Sequence, residues 1–184
     1  MKLQHTSTLV PDSSYSLRSA RLGFRMLREQ DLPNLMKLDM DAEVRAFFPG
    51  GLSTPELLKD KIVQSRTNFI EKGFGEFAVS ELKTNRFLGR AGFAELNNGE
   101  IEVGYLFLKE YWGQGMATEA LRALLRWAGN VLLVPRILAY APVNHLASIK
   151  VMKKAGMRYF KTETESGTKF TFYEYPLKPV SYTH

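Results

Sequence analysis

Glu110-Tyr111-Trp112-Gly113-Gln114-Gly115-Met116-Ala117-Thr118-Glu119 is the segment whose residue types and spacing best suit chemistry. An apolar run from Ile101 to Leu108 precedes it. Apolar positions at Ala117, Ala120, Leu121, Leu124, Leu125 and Ala128 follow at helical spacing. The order is strand, glycine turn, helix. The first turn of a helix leaves backbone N–H groups without intrahelical partners and carries the positive end of the dipole. Gly113 and Gly115 remove the side chains that would hold an anion away from those donors. The segment therefore points to a diphosphate cradled by main chain. A Walker loop would need a Lys beside its second glycine, and there is none. A dinucleotide fingerprint would need a third glycine where Thr118 stands.

The elements that must position this turn alternate along the chain. Residues 19–27 read as a strand, and Asp31 is placed to cap a short helix through Leu38, with Pro33 tolerated near its start. A second helical piece is expected from Asp41 to Phe48, stopping at Pro49-Gly50-Gly51. Thr54-Pro55-Glu56 announces a longer helix, with Leu57, Leu58, Ile62, Phe69 and Ile70 as buried candidates and Gly73 as its left-handed cap. Strands follow at Phe74–Leu82, Phe87–Leu96 and Ile101–Leu108, joined through Thr84-Asn85 and Asn97-Asn98-Gly99. After the turn and its helix come a strand at Ile137–Ala141, a helix at His145–Ala155 ending at Gly156, and two strands near Met157–Thr162 and Phe170–Tyr175. Hairpin strands plus a strand–helix–strand unit imply an α/β (α+β mixed) fold, a mixed sheet with helices on both faces.

Composition sets the outer bounds. The chain has 184 residues, 45% hydrophobic and 24% charged, as expected of one globular domain. That domain is expected over 17–178, between a flexible tail at 1–16 and another at 179–184. The absence of cysteine excludes disulfides, thiolate–zinc sites and a cysteine acyl-enzyme. No apolar run approaches the roughly 20 residues of a membrane span, and the start lacks a signal core, so a cytoplasmic protein without membrane attachment is expected. The net charge of +6 is spread along the chain, densest at Lys150, Lys153 and Lys154. No aromatic–basic motif of a known RNA-binding kind occurs, so nucleic acid is not an expected partner.

Residues 101–157 resemble the GNAT superfamily of acetyl-CoA-dependent N-acetyltransferases, and most closely its ribosomal-protein N-terminal acetyltransferase branch. The likeness is carried by Glu102-Val103-Gly104-Tyr105, by Tyr111-Trp112-Gly113-Gln114-Gly115-Met116-Ala117-Thr118-Glu119-Ala120, by Asn144-His145-Leu146-Ala147-Ser148 and by Lys153-Lys154-Ala155-Gly156-Met157. It extends more weakly over about 19–176. The superfamily's pyrophosphate motif maps onto Trp112 to Ala117, with Trp112 replacing the usual basic or amide residue at its head. The resemblance implies the acyl-CoA N-acyltransferase fold, a central, mostly antiparallel, splayed mixed sheet. It also implies acetyl-CoA as co-substrate, no metal, and a monomer or homodimer.

Acetyl transfer from a thioester to an amine needs a neutral amine, a polarised carbonyl and a proton for the departing thiolate. Glu102 is the leading base, matching the acidic residue common at this place in the branch. Period-2 alternation puts Glu102, Gly104, Leu106 and Leu108 on one face and Val103, Tyr105 and Phe107 on the other. Glu76 and Glu95 are rival carboxylates. Ser148 is the candidate acid, or hydrogen-bond donor to the coenzyme sulfur, as the resemblance implies; a serine in a first helical turn can equally cap backbone. Asn144 would bond the pantetheine arm or orient Ser148, and Tyr140 and His145 are spare proton carriers. The resemblance further implies that the strand after Ile101 splays from the strand after Arg136. The pantetheine would then pair with Leu106, Phe107 and Leu108, the diphosphate with Trp112, Gly113, Gln114, Gly115, Met116, Ala117 and Thr118, and the arm would pass Asn144, Ser148 and Val151.

The acceptor is an amine, either a protein N-terminus or a small molecule, expected to meet residues 39–52, 54–72 and 162–169. Asp39, Asp41, Glu43, Glu163 and Glu165 could attract it. Two other classes stay open: a CoA-binding module without catalysis, and a basic nucleic-acid-binding protein in which the glycine turn is incidental.

Overall fold

The computed structural model describes residues 15–177. The expected tails therefore lie outside the described residues, except for Tyr15 and Ser16. Those two already join the sheet: Ser16 N–H donates to Phe24 O at 2.8 Å, and the Tyr15 ring covers Gly23 so closely that a Cβ there would lie 2.6 Å from it.

Eight strands form one sheet in the order β1-β2-β3-β4-β5-β6-β8-β7. They are β1 (Leu17–Arg18), β2 (Leu22–Met26), β3 (Glu76–Glu81), β4 (Phe87–Glu95), β5 (Ile101–Phe107), β6 (Arg136–Pro142), β7 (Arg158–Glu165) and β8 (Thr168–Pro176). Neighbours are antiparallel except β5 and β6, which run parallel and share a single register pair, Glu102 with Leu138. Beyond that pair the two strands diverge, as the family resemblance implied. The parallel connection needs a crossover, supplied by α3 (Met116–Val131).

α3 presents Ala120, Leu121, Ala123, Leu124, Leu125 and Ala128 to one face of the sheet, where they pack with Leu22, Phe24, Phe77, Val79, Phe93, Val103 and Phe107. α4 (Leu146–Lys154) adds Met152 to this core. α1 (Leu32–Asp39) and α2 (Pro55–Lys72) cover part of the other face through Leu35, Leu58 and Ile62 against Leu27 and Ala78. Thr54 Oγ1 accepts from Leu57 N–H, and Gly73 closes α2 at φ 77°.

Several sequence expectations change. The strand expected at 19–27 starts only at Leu22, with a short β1 ahead of it, because Ser19 N–H and Oγ are drawn into a turn with Leu22. Asp31 does not cap α1; it is buried, accepts Arg28 N–H at 2.8 Å and pairs with Arg25 at 2.7 and 2.8 Å. Asp41 to Phe48 forms turns rather than a helix, since Asp41 Oδ1 takes the Glu43 and Val44 amides. On α2 the buried stripe is Leu58, Ile62 and Ser65, and Leu57 and Ile70 face solvent. The β7–β8 turn is the two-residue Ser166-Gly167, both at positive φ, so these strands are longer than expected.

Candidate active site

The site forms where β5 and β6 part. In the β4–β5 ladder Leu108 N–H donates to Leu88 O at 2.9 Å. Alternation then turns the main chain of Leu106 to β4 as well, and that of Tyr105 and Phe107 toward the β6 side. Leu106 and Leu108, expected to pair with the pantetheine, thus turn their main chain to β4, and the N–H of Leu108 is already spent. The open edge belongs to Tyr105 and Phe107, and Trp112 Nε1 caps the Phe107 carbonyl at 2.9 Å.

The gap leads into the glycine turn. Gly113 and Gly115 have φ of 71° and 77°, and α3 starts behind Gly115 with no side-chain cap on its first amides. A positive φ in both glycines tips the main chain so that these donors stay accessible. Gln114 Nε2 ties back to Glu110 O at 2.9 Å, and Met116 buries its side chain in the core, leaving only main chain to offer. Ala117 and Thr118 are half-buried in the first turn of α3.

Arg21, which the sequence did not single out, braces this turn. Its Nη1 donates to Gln114 O at 3.0 Å, its Nε to Glu119 Oε2 at 2.6 Å and its backbone N–H to Glu119 Oε1 at 2.7 Å. Ser19 Oγ adds a third bond to Glu119, and against the opposing effect of burial the three together hold that carboxyl below its ordinary value. A cavity of about 630 Å³ opens beside the turn, lined by Arg21, Gly115, Thr118, Arg122, Arg126 and Lys154. Uncapped helical amides, two glycines and a basic wall fit a phosphorylated carrier. No sequence signal links Arg21 to a turn more than ninety residues away.

Glu102 and Tyr105 project to opposite faces of β5. On the face shared with α3 and α4, the Tyr105 hydroxyl lies 2.9 Å from Ser148 Oγ and 3.2 Å from Ser148 O. Burial pushes the Tyr105 phenol up to about 12, so it stays protonated. α4 begins at Leu146 behind His145 with no side-chain cap, so neither Asn144 nor Ser148 serves that role. Val151 packs half-buried against the same core.

On the other face, burial pushes the Glu102 carboxyl up to about 7; the nearby Glu76 charge adds to this, and a hydrogen bond with Tyr140 opposes it. Gly104 beside it has nothing within 4 Å of where a side chain would begin, which leaves an open floor at the gap. The rival carboxylates are engaged elsewhere. Glu76 bonds Arg90 at 3.0 Å and Lys61 at 3.4 Å, and Glu95 pairs with Lys72 at 2.5 Å. Asp39 is buried and held by Arg90 Nη2 at 2.7 Å and Nε at 3.0 Å, so it is not available to an acceptor as expected. Asp41 holds its own turn, Glu43 pairs with Lys109 and Glu163 with Lys161. Burial lowers the His145 imidazole, which stacks on Phe47 at 4.0 Å. Among the described residues no His, Asp and Glu group could hold a metal, and no helix is long and apolar enough to cross a membrane.

A family model described as an acetyltransferase (GNAT) domain matches residues 21–158. The Bacillus subtilis protein YkkB, described as uncharacterized, is 29% identical over 160 residues, covering 84% of this chain and 91% of its own length. Two solved structures share the fold at low identity. An acetyl transferase from Salmonella typhimurium that modifies the N-terminal serine of ribosomal protein L7/L12 has a TM-score of 0.73 at 18% identity, covering 87% of this chain and 97% of that one. A spermidine N-acetyltransferase from Vibrio cholerae, in complex with CoA and spermine, has a TM-score of 0.73 at 14% identity, covering 86% and 96%. The chain belongs to the GNAT acetyltransferase family, and it is an acetyl-CoA-dependent acyltransferase.

Proposed function

We propose that this enzyme acetylates a primary amine, a protein N-terminus or a small molecule, by direct transfer within a ternary complex. The observation that carries the reading is the arrangement across β5: a carboxyl poised near neutrality on one face, a serine–tyrosine pair on the other, and an open strand edge between them. In this reading the diphosphate of acetyl-CoA meets the amides of residues 113–118, and Arg21 keeps the turn in shape. The pantetheine arm runs along the open edge, where Tyr105 and Phe107 offer main chain. Leu106 and Leu108 then act through their buried side chains, and Trp112, Asn144 and Val151 flank the arm.

The chemistry follows from the two faces. The acceptor enters as an ammonium over Gly104, and the ionised Glu102 removes one proton. The neutral nitrogen attacks the thioester carbonyl carbon, and a C–N bond forms. Donation from the Phe107 N–H stabilises the oxyanion as the carbonyl opens. The C–S bond then breaks. Ser148 Oγ donates a hydrogen bond, or its proton, to the departing sulfur, while the Tyr105 hydroxyl compensates that oxygen. The amide nitrogen gives up its remaining excess proton, which restores Ser148 or, where serine only donates a hydrogen bond, neutralises the thiolate; the proton on Glu102 passes to solvent, so one acetyl, one thiol and one released proton balance the exchange. Both Glu102 and Ser148 are needed because deprotonating the amine and protonating the thiolate take place at opposite ends of the reacting carbon.

The test is release of free thiol from acetyl-CoA across a panel of amines and N-terminal peptides. Amine-dependent release that falls sharply in Glu102→Gln is the expected result. Binding of acetyl-CoA without release for any amine would leave a CoA-binding module and overturn the transfer reading.

A further inference from the structure

The half of the site that faces the acceptor carries more information than its carboxylates. β5 and β6 run parallel from the Glu102–Leu138 pair, which sets Gly104 level with Tyr140 across the gap. Tyr140 is 37% exposed, stacks on Phe172 at 4.9 Å and meets Phe170 edge-on at 5.7 Å. Further along, Val44 packs with Leu106 and Leu108, so the loop after α1 lies over the end of β5. From that loop Phe47, also 37% exposed, reaches the start of α4 and stacks on His145 with its plane tilted by only 7°. The open floor at Gly104 therefore has the Tyr140 ring level with it on the β6 side, and the Phe47 ring lies beyond the gap, against His145.

Charge in the same place is compensated at Asp39 and at Glu76 Oε1, whereas Glu76 Oε2 is buried without a hydrogen-bond partner among the described residues. Asp39 is matched by Arg90 and Arg45, and Glu76 by Arg90 and Lys61. Lys161 Nζ already sits 5.1 Å over the Phe172 ring. Glu102 and, more weakly, Glu165 on the β7–β8 hairpin act on Tyr140, and neither is ion-paired among the described residues. A polyamine would need a run of unpaired carboxylates. One ammonium on a flat apolar body needs little more than Glu102 and the rings.

Building on the transfer reading above, we infer that the acceptor is a monoamine carried on an aromatic or flat apolar group, held between Tyr140 and Phe47. A polyamine is the alternative that this wall disfavours.

The experiment compares thiol release from acetyl-CoA with 2-phenylethylamine, spermidine and 1,4-diaminobutane, using the full chain and Phe47→Ala. 2-Phenylethylamine is expected to exceed both polyamines in kcat/KM by about tenfold or more, the scale on which a shaped apolar pocket discriminates. Phe47→Ala is expected to remove most of that ratio while leaving acetyl-CoA affinity, measured by calorimetry, within about twofold. A preference for spermidine, or a ratio untouched by Phe47→Ala with acetyl-CoA affinity intact, overturns the acceptor inference while leaving acetyl transfer in place. Thiol release with none of the amines, N-terminal peptides included, overturns the transfer reading and this inference with it.

Discussion

The Tyr105 hydroxyl and Ser148 Oγ, 2.9 Å apart, tie β5 to α4 across the helix-covered face of the gap. When Tyr105 donates in this pair, the serine proton is left for a third partner. That is the arrangement a departing thiolate requires. Ser148→Ala is expected to lower kcat by about a hundredfold, the scale of one positioned proton donor, with a smaller change in KM for acetyl-CoA. Tyr105→Phe keeps the ring and is expected to cost less. Steady-state kinetics at saturating amine decide it, and an unchanged kcat in Ser148→Ala would remove serine from the mechanism.

In the proposed mechanism Glu102 sets the acid limb of the rate. A base whose carboxyl titrates near 7 is mostly protonated below that pH, so kcat/KM for the amine should rise about tenfold per unit up to 7 and level above it. Glu102→Gln should flatten that limb. A limb that persists in this variant would assign the base elsewhere.

The same carboxyl has a stability signature of definite sign. Its folded value stands above the ordinary 4.5, so between about 4.5 and 7 the folded chain binds more protons than the unfolded one. Its contribution to stability therefore falls as pH rises through this window, and the full penalty stands above 7. Glu102→Gln is expected to unfold at a higher temperature than the parent at pH 8, with the advantage shrinking toward pH 4.5. Thermal melts at several pH values check this, and a variant less stable at pH 8 would contradict the burial argument.

Gly115→Ala tests the turn. Alanine at φ 77° costs about 1–2 kcal/mol, although space for the methyl exists, the closest atom being Arg21 Nη2 at 3.5 Å. Relaxing that strain re-aims the α3 amides. Denaturant melts should show the loss, and calorimetry should show weaker acetyl-CoA binding. Retained affinity would place the diphosphate elsewhere.

Asp39 tests structure apart from chemistry. Removing it strands Arg90, which is buried and pushed upward by its two carboxylates despite desolvation. Asp39→Ala should therefore cost about 3–5 kcal/mol in a denaturant melt. A loss below about 1 kcal/mol would mean that Arg90 finds water or another partner.

Local chemistry sufficed for much of this molecule. The strand, glycine turn and helix at 101–128 announced themselves because period, glycine conformation and helix-end polarity are all written within a few residues. Thr54 and Gly73 bounded α2 for the same reason, and alternation placed Glu102 and Tyr105 on opposite faces of β5 before any fold was known. Other features depended on partners far away in the chain. Asp31 reads as a helix cap until Arg25 is placed beside it, and Asp39 reads as an acceptor lure until Arg90 reaches it from β4. Arg21 became part of the glycine turn only when the start of β2 came to lie along α3. Nor could the sequence decide that Tyr105 and Phe107, rather than Leu106 and Leu108, turn their main chain to the gap, because that depends on which neighbour strand takes each amide. Types and spacing determined the elements and the kind of chemistry; tertiary packing decided which charges are neutralised, which amides stay free and what surrounds the acceptor, since each of these is a property of pairs that only the fold brings together.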